Sequence, residues 1–277
     1  MPVPIQWRIS ICINMAESGQ PTEESYKPIK SILISQPKPE RSAFFSLSEK
    51  YHIQVDWRPF IEVKGLTAKE FRKQRINPTE YSAVIFTAKN AIDHFFRIVG
   101  EMRLEMSQDT RYYCLTEAIA NYLQNFIVYR KRKVFVGTRT IQDLAPTLKK
   151  HRSKEKFLLP CSNLGAEFVS AFLNDNGFDW KDALMYRTVA SDLSDLEDVT
   201  YDCLVFYSPL GISSLYENFP DFKQNETRLA VAGKKTTKAV EEHGLKVNIT
   251  PNPPAVPSMT SAIERYLKIS NVQEGSR

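Results

Sequence analysis

Seven residues stand at or beside the ends of short apolar runs with groups that can hold an anion. Thr87, Ser208, Thr236 and Tyr186 offer hydroxyls, Lys89 and Arg187 offer cations, and Gly233 opens the backbone just before a helix. Hydroxyls, ammonium and guanidinium groups, and the free N–H groups of a helix start all favour negative charge. Taken singly, each has an ordinary use. Ser208 before a proline makes a turn, Thr236 caps a helix, Tyr186 fills a core, and Lys234-Lys235 is a solvated turn. The chemistry they suggest together is recognition of an acidic small molecule.

Other chemistries lack their signatures. The chain has no G-x-G-x-x-G, no G-x-x-x-x-G-K-[ST] and no G-x-S-x-G. His52, His94, His151 and His243 are never at metal-ligand spacing and read as surface residues or helix ends. Cys12, Cys114, Cys161 and Cys203 are scattered, so neither disulfides nor a structural zinc is expected. The expectation is therefore no cofactor and no metal. The net charge of +5 over 277 residues is modest, and Lys131-Arg132-Lys133 is too short for a nucleic-acid tail. No apolar run reaches the roughly 18 residues that a membrane span needs.

The elements that must position these residues repeat one plan. Cys203 to Tyr207 is a short apolar strand, Ser208-Pro209 breaks it, and a helix follows from near Gly211. Leu229 to Val231 repeats it, with Gly233, a polar turn and a helix from Thr236 or Thr237 to Gly244. Tyr81 to Ile92 echoes Tyr201 to Ile212 at its Tyr, Phe and Ile positions, at an offset of 120 residues. Such spacing fits a duplicated α/β half, and two facing halves would leave a cleft between them.

Along the chain, strands are expected at Ser31–Ser35, Ile53–Trp57, 83–86, Tyr112–Leu115, Lys133–Val136, from Lys156, at Ala183–Tyr186 and at Val247–Ile249. Helices alternate with them, including one capped by Cys161-Ser162-Asn163 and ended by Asn176-Gly177. Ser258 caps a last helix to about Lys268, with a frayed tail from Ser270. Ala16 to Pro28 reads as a disordered lead-in, order is expected to begin near Lys27, Met15 is a candidate initiator, and no signal peptide is expected. Strands alternating with helices argue for parallel sheets covered on both faces.

At this point the phrases resemble the uroporphyrinogen-III synthase family, from about Lys30 to Leu267. Phe86-Thr87-Ala88-Lys89-Asn90-Ala91 looks like its F-T-S-x-N-A, and Pro160-Cys161-Ser162-Asn163-Leu164 like its P-C-G-N-L. Met185-Tyr186-Arg187-Thr188 looks like V-Y-x-T, Phe206-Tyr207-Ser208-Pro209 like F-T-S-P, and Ala232-Gly233-Lys234-Lys235-Thr236 like I-G-x-x-T. The departure is Tyr113 to Glu117, where the family's first G-x-x-T has no Gly here and Thr116 is the partial substitute. The resemblance implies two flavodoxin-like parallel-sheet α/β domains joined by a two-stranded connector, Phe60–Glu62 with Thr188–Ala190. The domains would be 30–61 plus 190–268, and 62–189, flanked by a lead-in 1–29 and a tail 269–277.

It also implies an enzyme of haem biosynthesis that closes a linear tetrapyrrole, hydroxymethylbilane, with inversion of the last ring. Tyr186 would stand nearest the departing hydroxyl, and Thr87, Lys89, Arg187, Ser208, Gly233 and Thr236 would hold the acidic arms. A cytoplasmic location and transient contact with the upstream deaminase are the accompanying expectations, with a monomer as the default. Two rivals remain at this stage: a non-catalytic two-domain module that binds an acidic small molecule, and a flavin-binding flavodoxin-like protein.

Overall fold

The structure is a computed structural model that describes residues 26–274. The N-terminal expectations up to position 25, Met15 among them, lie outside the described residues. Strands and helices alternate in the order β1 (Ser31–Ile34), α1 (Ala43–Tyr51), β2 (Gln54–Trp57), β3 (Ile61–Gly65), α2 (Ala68–Arg72). Next come β4 (Ala83–Phe86), α3 (Lys89–Glu101), β5 (Arg111–Cys114), α4 (Glu117–Leu123), β6 (Val134–Val136) and α5 (Ile141–His151). The chain continues through β7 (Phe157–Ser162), α6 (Glu167–Asp175), β8 (Trp180–Ala190), β9 (Cys203–Phe206), α7 (Pro209–Asn218), β10 (Arg228–Val231), α8 (Lys234–Glu242) and α9 (Met259–Glu274). The described residues fall into two compact units: 26–58, Val199–Pro209 and 223–274 form the first, and Pro59–Asp198 with Leu210–Phe222 the second.

In the first unit a parallel sheet runs β10-β9-β1-β2. All four residues of β9, Cys203 to Phe206, are buried, as a strand covered on both faces must be. Phe44 and Leu47 of α1 and Ile263 and Leu267 of α9 pack with Ile32, Ile34 and Val205 on one face. The strand expected at Val247–Ile249 is a single parallel bridge, Ile249 to Ala230. The prolines that follow, at 251, 253 and 254, have no N–H to extend a ladder. Helix α9 continues past Lys268 to Glu274 because its next turn is still anchored: Ser270 is 1% exposed and its hydroxyl donates to Leu267 O at 3.1 Å.

The second unit holds the order β3-β8-β7-β4-β5-β6, parallel except that β3 lies antiparallel to β8. Strand β4 sits near its middle and separates two cores. Val84 and Phe86 enter one with Phe95, Ile98 and Tyr112, while Ala83 and Ile85 enter the other with Tyr113, Leu144 and Leu159. Alternate residues of a strand leave opposite faces, so four consecutive apolar side chains can be buried only this way. Helix α6 starts at Glu167 rather than at Ser162, because β7 runs on through Cys161 and Ser162 to pair with β8. Asn163 then extends that pairing by its side chain, accepting from Thr188 N at 2.8 Å and donating to Thr188 O at 3.2 Å.

Both sheets share one spatial plan. The first reads β2-β1-β9-β10, with Ile249 beyond β10, and the second β8-β7-β4-β5-β6. They coincide when β7 and β8 are counted ahead of β4, which is the flavodoxin order 2-1-3-4-5 with its segments permuted. Strands β4 and β9 are then equivalent, and this is the physical basis of the 120-residue echo.

Gly65 is a point of close approach. A Cβ there would lie 2.6 Å from Arg97 Nη2 and 2.7 Å from His94 Nδ1. Arg97 has little freedom to move aside, since Nη2 donates to Leu66 O at 2.6 Å and Nη1 pairs with Glu101. Gly65→Ala is expected to lose about 1–3 kcal/mol of stability in chemical denaturation. An unchanged midpoint would mean that the two side chains yield freely.

Candidate active site

In open α/β sheets, ligands bind beyond the carboxyl ends of the strands where the chain order reverses direction. That point lies between β1 and β9 in the first unit and between β7 and β4 in the second. The ladder from β4 to β7 covers only Ala83↔Phe157 and Val84↔Leu158, so the carboxyl ends of these two strands are not bonded to each other. Thr87 follows β4 there, half-buried, and Ser208 stands at the corresponding place after β9, also half-buried. Because β10 pairs with β9 through Val231↔Phe206, Gly233 emerges beside Ser208.

Two helix starts beyond these strands, those of α3 and α8, carry lysine where several others carry an acid. Helix α3 begins at Lys89 after Ala88, and α8 at Lys234 after Gly233. Neither has a side-chain cap or an acidic residue in its first turn. A lysine at the positive end of a helix opposes the macrodipole, so both starts suit an anion brought from outside. Four other helix starts carry an acid in the first turn, Glu70 in α2, Glu117 in α4, Asp143 in α5 and Glu167 in α6, and serines cap α1 and α9, through Ser42 to Phe44 N and Ser258 to Ser261 N.

Helix α5 shows the contrast most fully. Gly137-Thr138-Arg139-Thr140 has the G-x-x-T spacing that Tyr113 to Glu117 lacks, but its turn is already filled. One oxygen of Asp143 accepts from the N–H groups of Thr138, Arg139 and Thr140 at 3.2, 2.8 and 2.8 Å, and from the Thr138 hydroxyl at 2.7 Å. Those bonds to the ionised form draw the Asp143 carboxyl down to about 2. Thr116 is likewise committed, capping α4 through Ile119 N.

Gly233, at φ +86°, is the residue before α8, and the helix starts at Lys234, earlier than the Thr236 or Thr237 read from the sequence. Glycine reaches this backbone angle without a Cβ penalty. Thr236 is therefore the third residue of the helix rather than its cap. It is 2% exposed, and its N–H donates to Gly233 O at 3.1 Å.

In the second unit the expected residues gather around α3. Lys89 is exposed, with Nζ 5.3 Å from the Tyr122 ring centroid, and Tyr122 donates to Asp93 at 2.6 Å. Tyr186 owes its position to a bulge in β8. Leu184 pairs with Cys161 and Tyr186 with Ser162, leaving Met185 as the extra residue, and Met185 and Tyr186 enter the same core. Bulges re-aim side chains in this way. Tyr186 is 7% exposed, and among the described residues its hydroxyl makes no hydrogen bond. Burial, and then Cys161, push the phenol above its ordinary value, so it stays protonated and able to donate near neutral pH. Arg187 is exposed and engaged by Glu70 at 3.3 Å, a surface ion pair.

The sequence reading missed His94. Three of the four histidines do end helices: His52 and His243 cap α1 and α8, and His151 closes α5. His94 instead sits within α3, its ring stacked on Tyr186 at 5.0 Å and 25°. The available signal was its position, one turn after the Thr87–Asn90 phrase. Nothing near it in sequence marked Tyr186 as a neighbour.

Compared with known proteins, residues 43–261 match the family described as uroporphyrinogen-III synthase HemD. The chain belongs to the uroporphyrinogen-III synthase family. It is similar to the protein named uroporphyrinogen-III synthase from Chlorobaculum parvum, 22% identical over 87% of this chain and the whole of that one. Among solved structures it resembles uroporphyrinogen-III synthetase from Helicobacter pylori, 18% identical with a TM-score of 0.53, over 87% of this chain and 100% of that one. A mutant uroporphyrinogen III synthase from Thermus thermophilus is similar at 16% identity and a TM-score of 0.51, over 86% of this chain and 99% of that one. These structures share the two-domain α/β fold of the family. Among the described residues, no helix is long and apolar enough to cross a membrane, and no His, Cys, Asp and Glu group could hold a metal ion.

The filled turn of α5 gives a pH prediction. The Asp143 carboxyl lies at about 2 against an ordinary 3.8, so its contribution to stability is complete above 3.8 and lost as pH falls through about 2. Asp143→Asn should therefore flatten the decline of stability with acid across this window, measured by denaturant midpoint at each pH. Parallel acid profiles for the two proteins would contradict the assignment.

Proposed function

We propose that the family's reaction, closure of hydroxymethylbilane to uroporphyrinogen III with loss of water, is carried out by this chain with Tyr186 as donor to the departing hydroxyl. The observation that carries the reading is the pair of lysine-bearing, uncapped helix starts after β4 and β10. They suit the acetate and propionate arms of such a substrate and fall inside the matched residues. Thr87 and Lys89 in the second unit, and Ser208 and Gly233 in the first, take the acidic arms. Thr236 supports the α8 start from within, and Arg187 helps only when released by Glu70.

The reaction is intrinsic to the substrate. Loss of the terminal hydroxyl leaves an electrophilic azafulvene, and the substituted carbon of the last pyrrole attacks it. The resulting spirocycle fragments and recloses with that ring inverted, while free in water the chain closes uninverted. The protein's work is to hold the geometry in which the disfavoured carbon attacks. A phenol raised by burial assists departure by a hydrogen bond rather than by full proton transfer. On this reading the residues 30–61 with 190–268 and 62–189 are its domains. The protein acts as a cytoplasmic monomer, transiently meeting the deaminase that supplies the substrate.

Two variants test it with hydroxymethylbilane supplied in situ. Tyr186→Phe should lower kcat about tenfold with an unchanged melting temperature, below the roughly hundredfold of a true general acid. Lys89→Glu should raise KM several-fold while slightly raising the melting temperature, since an acid suits the start of α3 better than a lysine. Full activity in both variants would overturn the site, and no turnover by the wild type would favour a binding module.

A further inference from the structure

A buried polar atom without a partner is uncommon and calls for a reason. His94 carries one. Its Nδ1 is fully buried with no hydrogen-bond partner, although the residue as a whole is half-buried. A phenylalanine would fill the same space beside Tyr186 without stranding a nitrogen. The chain therefore keeps an imidazole where packing alone would favour a hydrocarbon ring.

The surroundings settle which form the imidazole takes. Nδ1 lies toward the backbone of Gly65, where Arg97 Nη2 also crowds. A proton on Nδ1 would set a donor against that cation, whereas a bare lone pair avoids the repulsion although it gains no hydrogen bond. Burial, then Arg97, hold His94 below the ordinary histidine value, outweighing the opposite pull of Asp93. The neutral ring thus carries its proton on Nε2. That atom has no hydrogen-bond partner among the described residues and is not among the buried ones. The stacking on Tyr186 brings this second donor alongside the phenol, on the helix that begins with Thr87-Ala88-Lys89.

We propose that His94 is a second catalytic hydrogen-bond donor, its Nε2–H acting with the Tyr186 hydroxyl on the departing hydroxyl group of the substrate. Arg97 and Gly65 are positioning residues for it: Arg97 fixes the tautomer, and the missing Cβ at Gly65 leaves the ring its place. Neither side chain gives up its proton: the C–O bond breaks with its electron pair going to oxygen, and the proton shed by the pyrrole N–H as the azafulvene forms completes the departing water. The hydroxyl leaves under two neutral hydrogen bonds, and its charge is met as it develops. The inference rests on the role proposed above for Tyr186.

His94→Phe separates the donor from the packing, because it keeps an aromatic ring against Tyr186 while removing both nitrogens. The variant is expected to melt at or above the wild-type temperature, having lost the stranded Nδ1. Its kcat should fall about tenfold, the weight of one hydrogen bond, with KM little changed. His94→Gln, which restores an N–H donor, should recover part of that loss. A merely structural histidine would give the opposite pattern, a lower melting temperature with unchanged kcat. Full kcat in His94→Phe while Tyr186→Phe is impaired would overturn the inference and leave the Tyr186 reading standing. Full kcat in both would remove the Tyr186 reading as well. Where His94→Phe fails to fold, His94→Gln and His94→Ala decide together: kcat kept in Gln but lost in Ala supports the donor, and equal kcat in the two contradicts it.

Discussion

A strand buried on both faces leaves the chain no place for polar chemistry except at its ends. Strands β4 and β9 are such strands, each with all four residues buried, and each must hand over at its carboxyl end to a helix whose first N–H groups have no partner within the helix. That demand recurs at every strand-to-helix turn in the molecule. Most turns answer it locally, with a threonine cap or a carboxylate drawn from the first turn of the helix. The starts of α3 and α8 do not, and carry lysine where an acid would be more comfortable. Breaks in a local rule of stability are where a functional site is first sought, and the proposed site takes in both.

The same logic extends to Tyr186. A regular β8 would send Met185 and Tyr186 to opposite faces, and the bulge sends both into one core. The phenol is thereby desolvated enough to remain a neutral donor, and it lies against an imidazole that the core tolerates despite a stranded nitrogen. On the proposed assignment, such a site would donate hydrogen bonds without supplying strong acid or base. That matches a reaction whose difficulty is which carbon attacks rather than whether attack occurs.

Much of this was readable in the residues. Short apolar runs closed by Ser-Pro or Gly located β9 and β10, and the Tyr-Phe-Ile echo located β4 as the counterpart of β9, since strands buried on both faces need the same unbroken apolar code. The loops were less legible. Cys161 and Ser162 look like a cap but are strand, because whether they pair depends on β8, which is distant in sequence. Thr236 looks like a cap but lies inside the helix, because Gly233 at positive φ starts it earlier. The bulge at Met185 and the stacking of His94 on Tyr186 leave no local trace, since both arise from pairing between segments far apart in the chain.

The central claim is that the protein decides which carbon closes the ring. The most direct measurement couples the purified chain to a porphobilinogen deaminase and resolves the two porphyrin isomers after oxidation. The account predicts that the inverted isomer dominates and that its share falls as the chain is diluted out. An isomer ratio equal to that of the deaminase alone, at every concentration of the chain, would contradict it.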